Sequence, residues 1–173
     1  MCIRDRFYEQ GSLATDENRQ RFSTRSLAAM LVGAVEALHR ESVVHRDIKP
    51  ENVLVRTDPP GIVLADLGLV RSLGEHSMRF TSGFGTPEYM PPEAHVVGEV
   101  QVSPRWDWWS VGVLLAEIEA GHSPFKVGGV APSPAVNSNR VVTSGIPLDH
   151  LEDEDVRQLC RGLCTRDPQH RWG

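Results

Sequence analysis

An eight-residue segment, His-Arg-Asp-Ile-Lys-Pro-Glu-Asn at residues 45–52, constrains this chain more than any other feature. Within it, Asp47 stands two residues before Lys49 and five before Asn52. Phosphoryl transfer from a metal-bound nucleotide needs a carboxylate that orients a hydroxyl, a cation beside the moving group and an oxygen ligand for Mg2+. The segment offers these three groups in order, and it therefore predicts a loop that carries this chemistry.

Three further segments follow in a fixed order. An apolar run at residues 62–65 predicts a strand that leads into Asp66, the first residue of an Asp-Leu-Gly triplet. The sequence Gly-Thr-Pro-Glu-Tyr-Met-Pro-Pro-Glu occupies residues 85–93, and Asp-Trp-Trp-Ser-Val-Gly-Val-Leu-Leu occupies residues 107–115. Together the four segments resemble the catalytic loop, metal-binding triplet, end of the activation segment and central helix of eukaryotic-type serine/threonine protein kinases. The resemblance runs from about Phe7 to Gly173, with Leu67 where the family usually has Phe and Pro92 where it usually has Ala.

This resemblance implies a role for each residue at a matching position. The residues implied to be catalytic are Asp47, Lys49 and Thr86, and those implied to bind the cofactors ATP and Mg2+ are Lys49, Asn52, Leu54 and Asp66, with Asn52 and Asp66 as the metal ligands. Asp107 would hold the backbone of the catalytic loop by hydrogen bonds. Glu93 and Arg171 would form a partly buried ion pair that ties the activation segment to the helical core.

The resemblance also implies regulation and a substrate class, namely proteins with Ser or Thr. Arg46 would grip a phosphate on the activation segment, for which Thr81 and Ser82 are the candidate acceptors. Glu51 and Glu117 match positions at which kinases that prefer basic substrates accept an arginine upstream of the target hydroxyl.

Only the large lobe of a kinase is covered by the resemblance. The sequence contains no Gly-x-Gly-x-x-Gly loop and no Val-Ala-x-Lys strand, which belong to the small lobe. We therefore expect residues 7–173 to be a partial kinase domain, from the hinge to the segment before the last helix, that is inactive alone. Residues 1–6 match the translation of a transposon end used to tag DNA for sequencing, and we expect them to be an artefact.

Composition is that of a soluble globular domain, with 40% hydrophobic and 24% charged residues. The net charge of −5 gives no reason to expect nucleic acid or an anionic membrane as a partner. No apolar stretch reaches the ~20 residues that span a bilayer, so we expect no membrane contact from this segment and a cytoplasmic domain. Cys160 and Cys164 are expected to be buried or a reduced pair rather than a metal site.

The periodicity and the resemblance together predict an α+β domain, mainly α, with a short β element beside the catalytic loop and no small lobe. Ser23 or Thr24 would cap a first helix, a second would cover about 106–120 and end at Gly121, and a third would run through 153–164. Two strands at 53–55 and 62–64 would flank a turn at 58–61. Residues 122–148 are predicted to be mostly loop, with one short helix near 135–142.

Two other functional classes stay open at this stage. A small-molecule phosphotransferase of the aminoglycoside-kinase type shares a catalytic aspartate, a nearby asparagine and a later metal-binding aspartate. Lys49 and the segment at 85–93 argue against that class, because those parts seat a protein substrate. A non-catalytic pseudokinase or interaction scaffold is the second class. Every essential position of the covered half is present, but the small-lobe lysine lies outside this sequence.

Overall fold

A computed structural model describes residues 10–66, 71–72, 85–95, 102–126 and 132–173. It contains five helices in these ranges, α1 (Asp16–Arg19), α2 (Thr24–Arg40), α3 (Arg105–Ala120), α4 (Pro134–Ser144) and α5 (Glu154–Leu163). Four short strands accompany them, β1 (Val43–Val44), β2 (Val53–Thr57), β3 (Pro60–Leu64) and β4 (Arg71–Ser72). Short 3-10 turns cover Pro50–Asn52, Pro87–Tyr89 and Pro92–His95. The expectation of a mainly helical domain with a small β element is confirmed.

Helix α2 leads directly into the catalytic loop. Its first turn is capped by the Ser23 hydroxyl, which accepts a hydrogen bond from the amide of Ser26, as predicted. The apolar face of α2 buries Leu27, Leu31 and Val35 against the main core, which α3 and α5 also line. This packing fixes the end of α2, and with it the start of the loop that carries Asp47.

Helix α3 is the centre of the core. Its residues from Trp106 to Glu117 are all buried, which is why its sequence lacks a polar face. It ends at Gly121, whose φ of 73° lies in the left-handed region that glycine adopts without strain, and this end was predicted. α3 packs on α5 with very little space, because a Cβ at Gly112 would lie 2.4 Å from the sulfur of Cys164.

The β elements frame the catalytic loop. Strands β2 and β3 form an antiparallel hairpin in which Val53 pairs with Leu64 and Thr57 with Pro60. The turn is therefore tighter than predicted, because Pro60 and Gly61 belong to β3. Strand β1, just before the loop, pairs with β4 through Val43 and Ser72.

The remaining differences from the sequence predictions are small. Helix α4 is longer than expected, because Ser133 caps it so that it begins one residue earlier, at Pro134, and Gly145 ends it two residues later, after Ser144. Helix α1, capped by Thr15, was not predicted. Cys160 and Cys164 are buried free thiols, as expected. Among the described helices, none combines the length and the apolar character needed to cross a membrane.

Candidate active site

The catalytic loop is anchored to α3 by a single carboxylate. Asp107 is completely buried, and its two oxygens accept hydrogen bonds from the backbone amides of His45 and Arg46, each at 2.8 Å. Arg46 has a φ of 70°, a conformation that costs a non-glycine residue of order 1–3 kcal/mol. Because both amides point at one ionised acceptor, charge-assisted hydrogen bonds offset this strain. The neighbouring ring of His45 is buried and makes a 2.9 Å hydrogen bond with the carbonyl of Ala65, so it is a structural group.

Asp47 lies at the centre of a polar network that joins the loop to the segment at 85–95. The Oδ1 atom of Asp47 accepts from the amide of Thr86 at 3.1 Å and from its hydroxyl at 3.0 Å. The Oδ2 atom lies 3.0 Å from the Nζ of Lys49 and accepts from the side-chain amide of Asn52 at 2.9 Å. Lys49 also donates to the Thr86 hydroxyl at 2.8 Å, so the three implied catalytic residues touch one another.

The close approach of the segment to the loop depends on Gly85. Its φ of 94° is open to glycine, and a Cβ there would meet the backbone oxygen of Arg46 at 3.3 Å and the side chain of Met90 at 2.7 Å. A side chain at residue 85 would therefore push Thr86 away from Asp47.

Asn52 and Asp66 are the residues whose side-chain oxygens could hold a divalent cation. The amide of Ala65 donates to the carbonyl of Asn52 at 2.8 Å, just beyond the β2–β3 hairpin. Asp66 is therefore the residue after the one that bonds Asn52. Asn52 donates from its side-chain nitrogen to both the carbonyl and the carboxylate of Asp47, so its amide oxygen is directed elsewhere. Asp66 is exposed. In the described part of the chain, no three His, Cys, Asp or Glu side chains gather into a metal-holding group. Two protein oxygens completed by nucleotide phosphates and water suit Mg2+, so the donor set fits.

Leu54 lies beside the segment that precedes α1. The amide of Leu13 donates to the carbonyl of Val53 at 2.9 Å, and the amide of Val55 donates to the carbonyl of Gly11 at 2.9 Å. This pairing holds β2, with the half-buried Leu54 in its middle, against the chain just after the residues that resemble the kinase hinge.

Glu93 and Arg171 are joined by two parallel hydrogen bonds of 2.7 and 2.9 Å. The Arg171 side chain is 0% exposed and that of Glu93 20%. The guanidinium also donates to the carbonyls of Thr165 and Arg105, each at 2.9 Å, and lies 5.1 Å from the centre of the Trp109 ring. The end of the segment is thus clamped to the beginning of α3 and to the chain after α5.

Glu117, implied to receive a substrate arginine, is buried and already engaged. Arg19 donates to its Oε1 at 2.8 Å, and the hydroxyl of Tyr89 donates to its Oε2 at 2.5 Å. Burial and then the charge of Glu117 raise the pKa of Tyr89 far above its ordinary value, so the phenol keeps its proton. Glu51, the other implied substrate residue, is exposed. Burial, followed by the charges of Glu117 and Glu51, raises the pKa of Glu88. Three carboxylates therefore share this region.

Sequence reasoning missed three residues that surround Glu117, namely Arg19, Glu88 and Tyr89. Arg19 closes α1, 98 residues before its partner Glu117, and no local pattern links them. Of the implied regulatory residues, Arg46 is placed by Asp107, whereas Thr81 and Ser82 lie outside the described residues.

Comparison with known proteins is consistent with this geometry. The family model "Protein kinase domain" matches residues 5–173. The chain is 34% identical over 166 residues to serine/threonine-protein kinase AtPK1/AtPK6 of Arabidopsis thaliana, covering 96% of the chain and 32% of that protein. It is 36% identical over 166 residues to G protein-coupled receptor kinase 4 of Rattus norvegicus, with 96% and 28% covered. Against ribosomal protein S6 kinase alpha-4 of Homo sapiens the identity is 36% over 144 residues, with 83% and 18% covered. The chain thus spans about a third or less of the length of these relatives. It belongs to the protein kinase family.

Proposed function

We propose that the protein is a serine/threonine protein kinase, which transfers the γ-phosphoryl group of ATP to Ser or Thr hydroxyls of proteins with Mg2+. The observation that carries this proposal is the contact of Asp47 with Lys49 and Thr86. Thr86 belongs to the segment that resembles the protein-substrate platform of kinases. Its direct contact with the reacting carboxylate favours a protein substrate over a small-molecule one.

The residues divide the work according to their chemistry. Asp47 orients the substrate hydroxyl and accepts its proton at the carboxylate, a role that suits an ionised acid held by several donors. Lys49, 3.0 Å from that carboxylate, places a positive charge where negative charge builds up on the phosphoryl oxygens. Thr86 fixes the rotamers of both side chains through its hydroxyl.

Asn52 and Asp66 would hold Mg2+, and Leu54 would form part of the apolar wall beneath the nucleotide base. Bound Mg·ATP supplies the phosphoryl group and neutralises part of its charge. The side-chain amide of Asn52 is itself held by the carbonyl of Asp47 at 2.7 Å, so ligand and base are positioned by one another.

We propose that residues 7–173 correspond to a partial large lobe of a kinase and that the chain does not turn over substrate alone. The sequence contains neither the Gly-rich loop nor the strand lysine that pairs with the nucleotide phosphates. Much of the rate enhancement in this reaction comes from positioning and charge supplied by both lobes. Robust activity of the isolated chain would contradict this part of the proposal without touching the chemistry of the site.

The test is phosphotransfer by the full-length protein, with phosphoamino-acid analysis of a mixed protein substrate. We expect phosphoserine or phosphothreonine from the wild type, and a loss of about 10²–10⁴-fold in kcat for Asp47→Asn. Asp149→Asn, at an exposed site away from the network, is the matched control and should keep wild-type activity. Wild-type turnover by Asp47→Asn would refute the assignment. Transfer to aminoglycosides but not to proteins would favour the small-molecule class, and nucleotide binding without transfer would favour a pseudokinase.

Regulation by phosphorylation is a second part of the proposal. A phosphate on Thr81 or Ser82 brings about −1.5 to −2 charges, which the guanidinium of Arg46 can bind through paired hydrogen bonds. Because the backbone of Arg46 is held by Asp107, such a contact would order the activation segment directly against the catalytic loop. Mass spectrometry of the active protein should find phosphate at one of these residues. Full activity of the double alanine variant would remove the idea.

A preference for arginine upstream of the target hydroxyl is the third part. The acidic region includes Glu51, exposed, and Glu88, whose raised pKa reflects burial and two neighbouring carboxylates. Glu117 can take part only if a substrate guanidinium shares its carboxylate with Arg19. Glu51→Gln is therefore the cleaner variant, and it should reduce selectivity for arginine in a peptide library. A wild type that is indifferent to upstream arginine would end this part alone.

A further inference from the structure

Two exposed histidines from different parts of the chain lie side by side near the C-terminal end of α3. His122 follows Gly121, the residue that ends α3, and His150 lies in the segment just before α5. Their rings are nearly parallel, with 18° between the planes and 5.7 Å between the centres. Because both side chains are exposed, neither is needed to fill the core, and the proposed phosphotransfer uses neither.

The hydrogen bond made by His122 determines which of its ring nitrogens can bind a metal ion. Its Nδ1 lies 3.0 Å from the carbonyl oxygen of Ser123. Because a carbonyl only accepts hydrogen bonds, Nδ1 carries the proton, and Nε2 of the neutral ring keeps an unshared electron pair. Histidines that bind metals are commonly arranged in this way, since a hydrogen bond from one nitrogen to a backbone carbonyl fixes the tautomer and the orientation of the ring.

The spacing of the two rings fits a single tetrahedral ion. With Zn–N bonds of about 2.1 Å, a zinc ion lies about 3.2 Å from the centre of each imidazole ring that binds it. Two ring centres 5.7 Å apart then correspond to an N–Zn–N angle of about 120°, close to the tetrahedral value. Exposed side chains change rotamer within nanoseconds, so both rings can turn a nitrogen toward one shared ion.

We propose that His122 and His150 form a binding site for Zn2+, with water in the remaining positions around the ion. Imidazole is a ligand that suits Zn2+, Cu2+ and Ni2+, whereas Mg2+ prefers oxygen ligands. The exposed carboxylates of Asp149 and Glu152 lie within two residues of His150 in the sequence, and their charge attracts a cation to this region. The site therefore differs in its chemistry from the oxygen ligands proposed for the catalytic Mg2+.

The place of the site in the fold determines the effect of zinc. Helix α3 has 16 residues and is about 24 Å long, and Asp107, which anchors the catalytic loop, lies at its opposite end. Zinc would join the turn after α3 to the segment before α5, at a distance from the catalytic loop. Because unfolding separates the two histidines, the ion binds the folded chain more tightly than the unfolded chain and stabilises the domain.

The test is thermal unfolding of the full-length protein, with ZnCl2 added to metal-free samples. The Tm of the wild-type domain should rise by about 3–5 °C for each tenfold increase in free Zn2+ above the dissociation constant. This rise should disappear in His122→Gln and in His150→Gln, because each variant keeps a single imidazole, while both keep the wild-type Tm without metal. His170→Gln is the matched control, because His170 is exposed and pairs with Asp167, and it should keep the zinc response. MgCl2 should not reproduce the rise that depends on His122.

Chemical modification of the histidines locates the bound ion. Diethyl pyrocarbonate acylates unprotonated imidazole nitrogens, so Zn2+ should protect both His122 and His150 in the wild type and leave His170 reactive. Protection of only one histidine of the pair, or of neither, would overturn the proposal and leave an ordinary contact between two rings. A zinc response that is absent from the wild type, or that persists in either His→Gln variant of the pair, would overturn it as well. Neither measurement depends on phosphotransfer, so the zinc site is decided whether or not the proposed kinase activity is found.

Discussion

Replacing Glu93 by Gln should test how firmly the end of the activation segment is tied to the core. The substitution removes a charge and turns an amide N–H₂ toward the guanidinium of Arg171, whose side chain is fully buried. Breaking a buried ion pair by neutralising one partner costs about 3–5 kcal/mol. We expect the lower end, about 3 kcal/mol, because Glu93 is 20% exposed and three backbone carbonyls still accept from Arg171.

This loss is measured as the shift in the urea midpoint, or as a fall in Tm of about 6–12 °C for a domain of this size. Arg25→Gln is the control, because Arg25 is 61% exposed in its pair with Asp153 and should contribute little. A cycle that adds Arg171→Met then gives the coupling energy of the pair. If Glu93→Gln is no more harmful than Arg25→Gln, solvent screens the pair and the reasoning from burial is wrong.

Three further outcomes are expected. Gly112→Ala should lower the free energy of unfolding by about 1–3 kcal/mol in urea denaturation, because its Cβ would lie 2.4 Å from the Cys164 sulfur. An unchanged free energy of unfolding would contradict the close packing of α3 and α5. Gly33→Ala, whose Cβ would meet nothing within 4 Å, should instead raise the free energy of unfolding by about 0.4–1 kcal/mol. A decrease would contradict the explanation of the Gly112 result by steric contact. Hydrogen bonds from Arg25 and from backbone amides lower the pKa of Asp153, so its stabilising effect is complete above the ordinary pKa of about 3.9 and disappears as pH falls through the lowered value. The Tm difference between wild type and Asp153→Asn should therefore shrink in acid, and a difference that is constant with pH would exclude this linkage.

The grouping of polar side chains on the catalytic loop could be predicted from sequence because it is local. Asp47, Lys49 and Asn52 lie within six residues, and their spacing alone placed three kinds of functional group on one loop. The start of helix α2 and the end of α3 could be predicted for the same reason, because a serine cap and a terminal glycine act on the adjacent backbone.

Long-range contacts could not be derived in this way. The pairing of Arg19 with Glu117 joins two helices through tertiary packing, and neither residue carries a local signal of its partner. Strand β1 has two residues, too few for an alternating pattern, and it forms because β4 supplies its hydrogen bonds. The cap of α4 was readable, since Ser133 precedes a proline at the first helical position, but the loop-rich composition around it obscured the signal.

Cys164 is packed closely against α3, so the two core thiols can report when α5 and α3 separate. Burial raises the pKa of Cys160 to about 12 and that of Cys164 well above its ordinary value, so neither forms an appreciable amount of thiolate at neutral pH. An alkylating reagent can reach them only when α5 separates from α3, and the rate of their modification then measures that separation. Mass spectrometry that resolves the modification of Cys2 from that of the core pair would let the chain's own cysteines report how often its helical core opens.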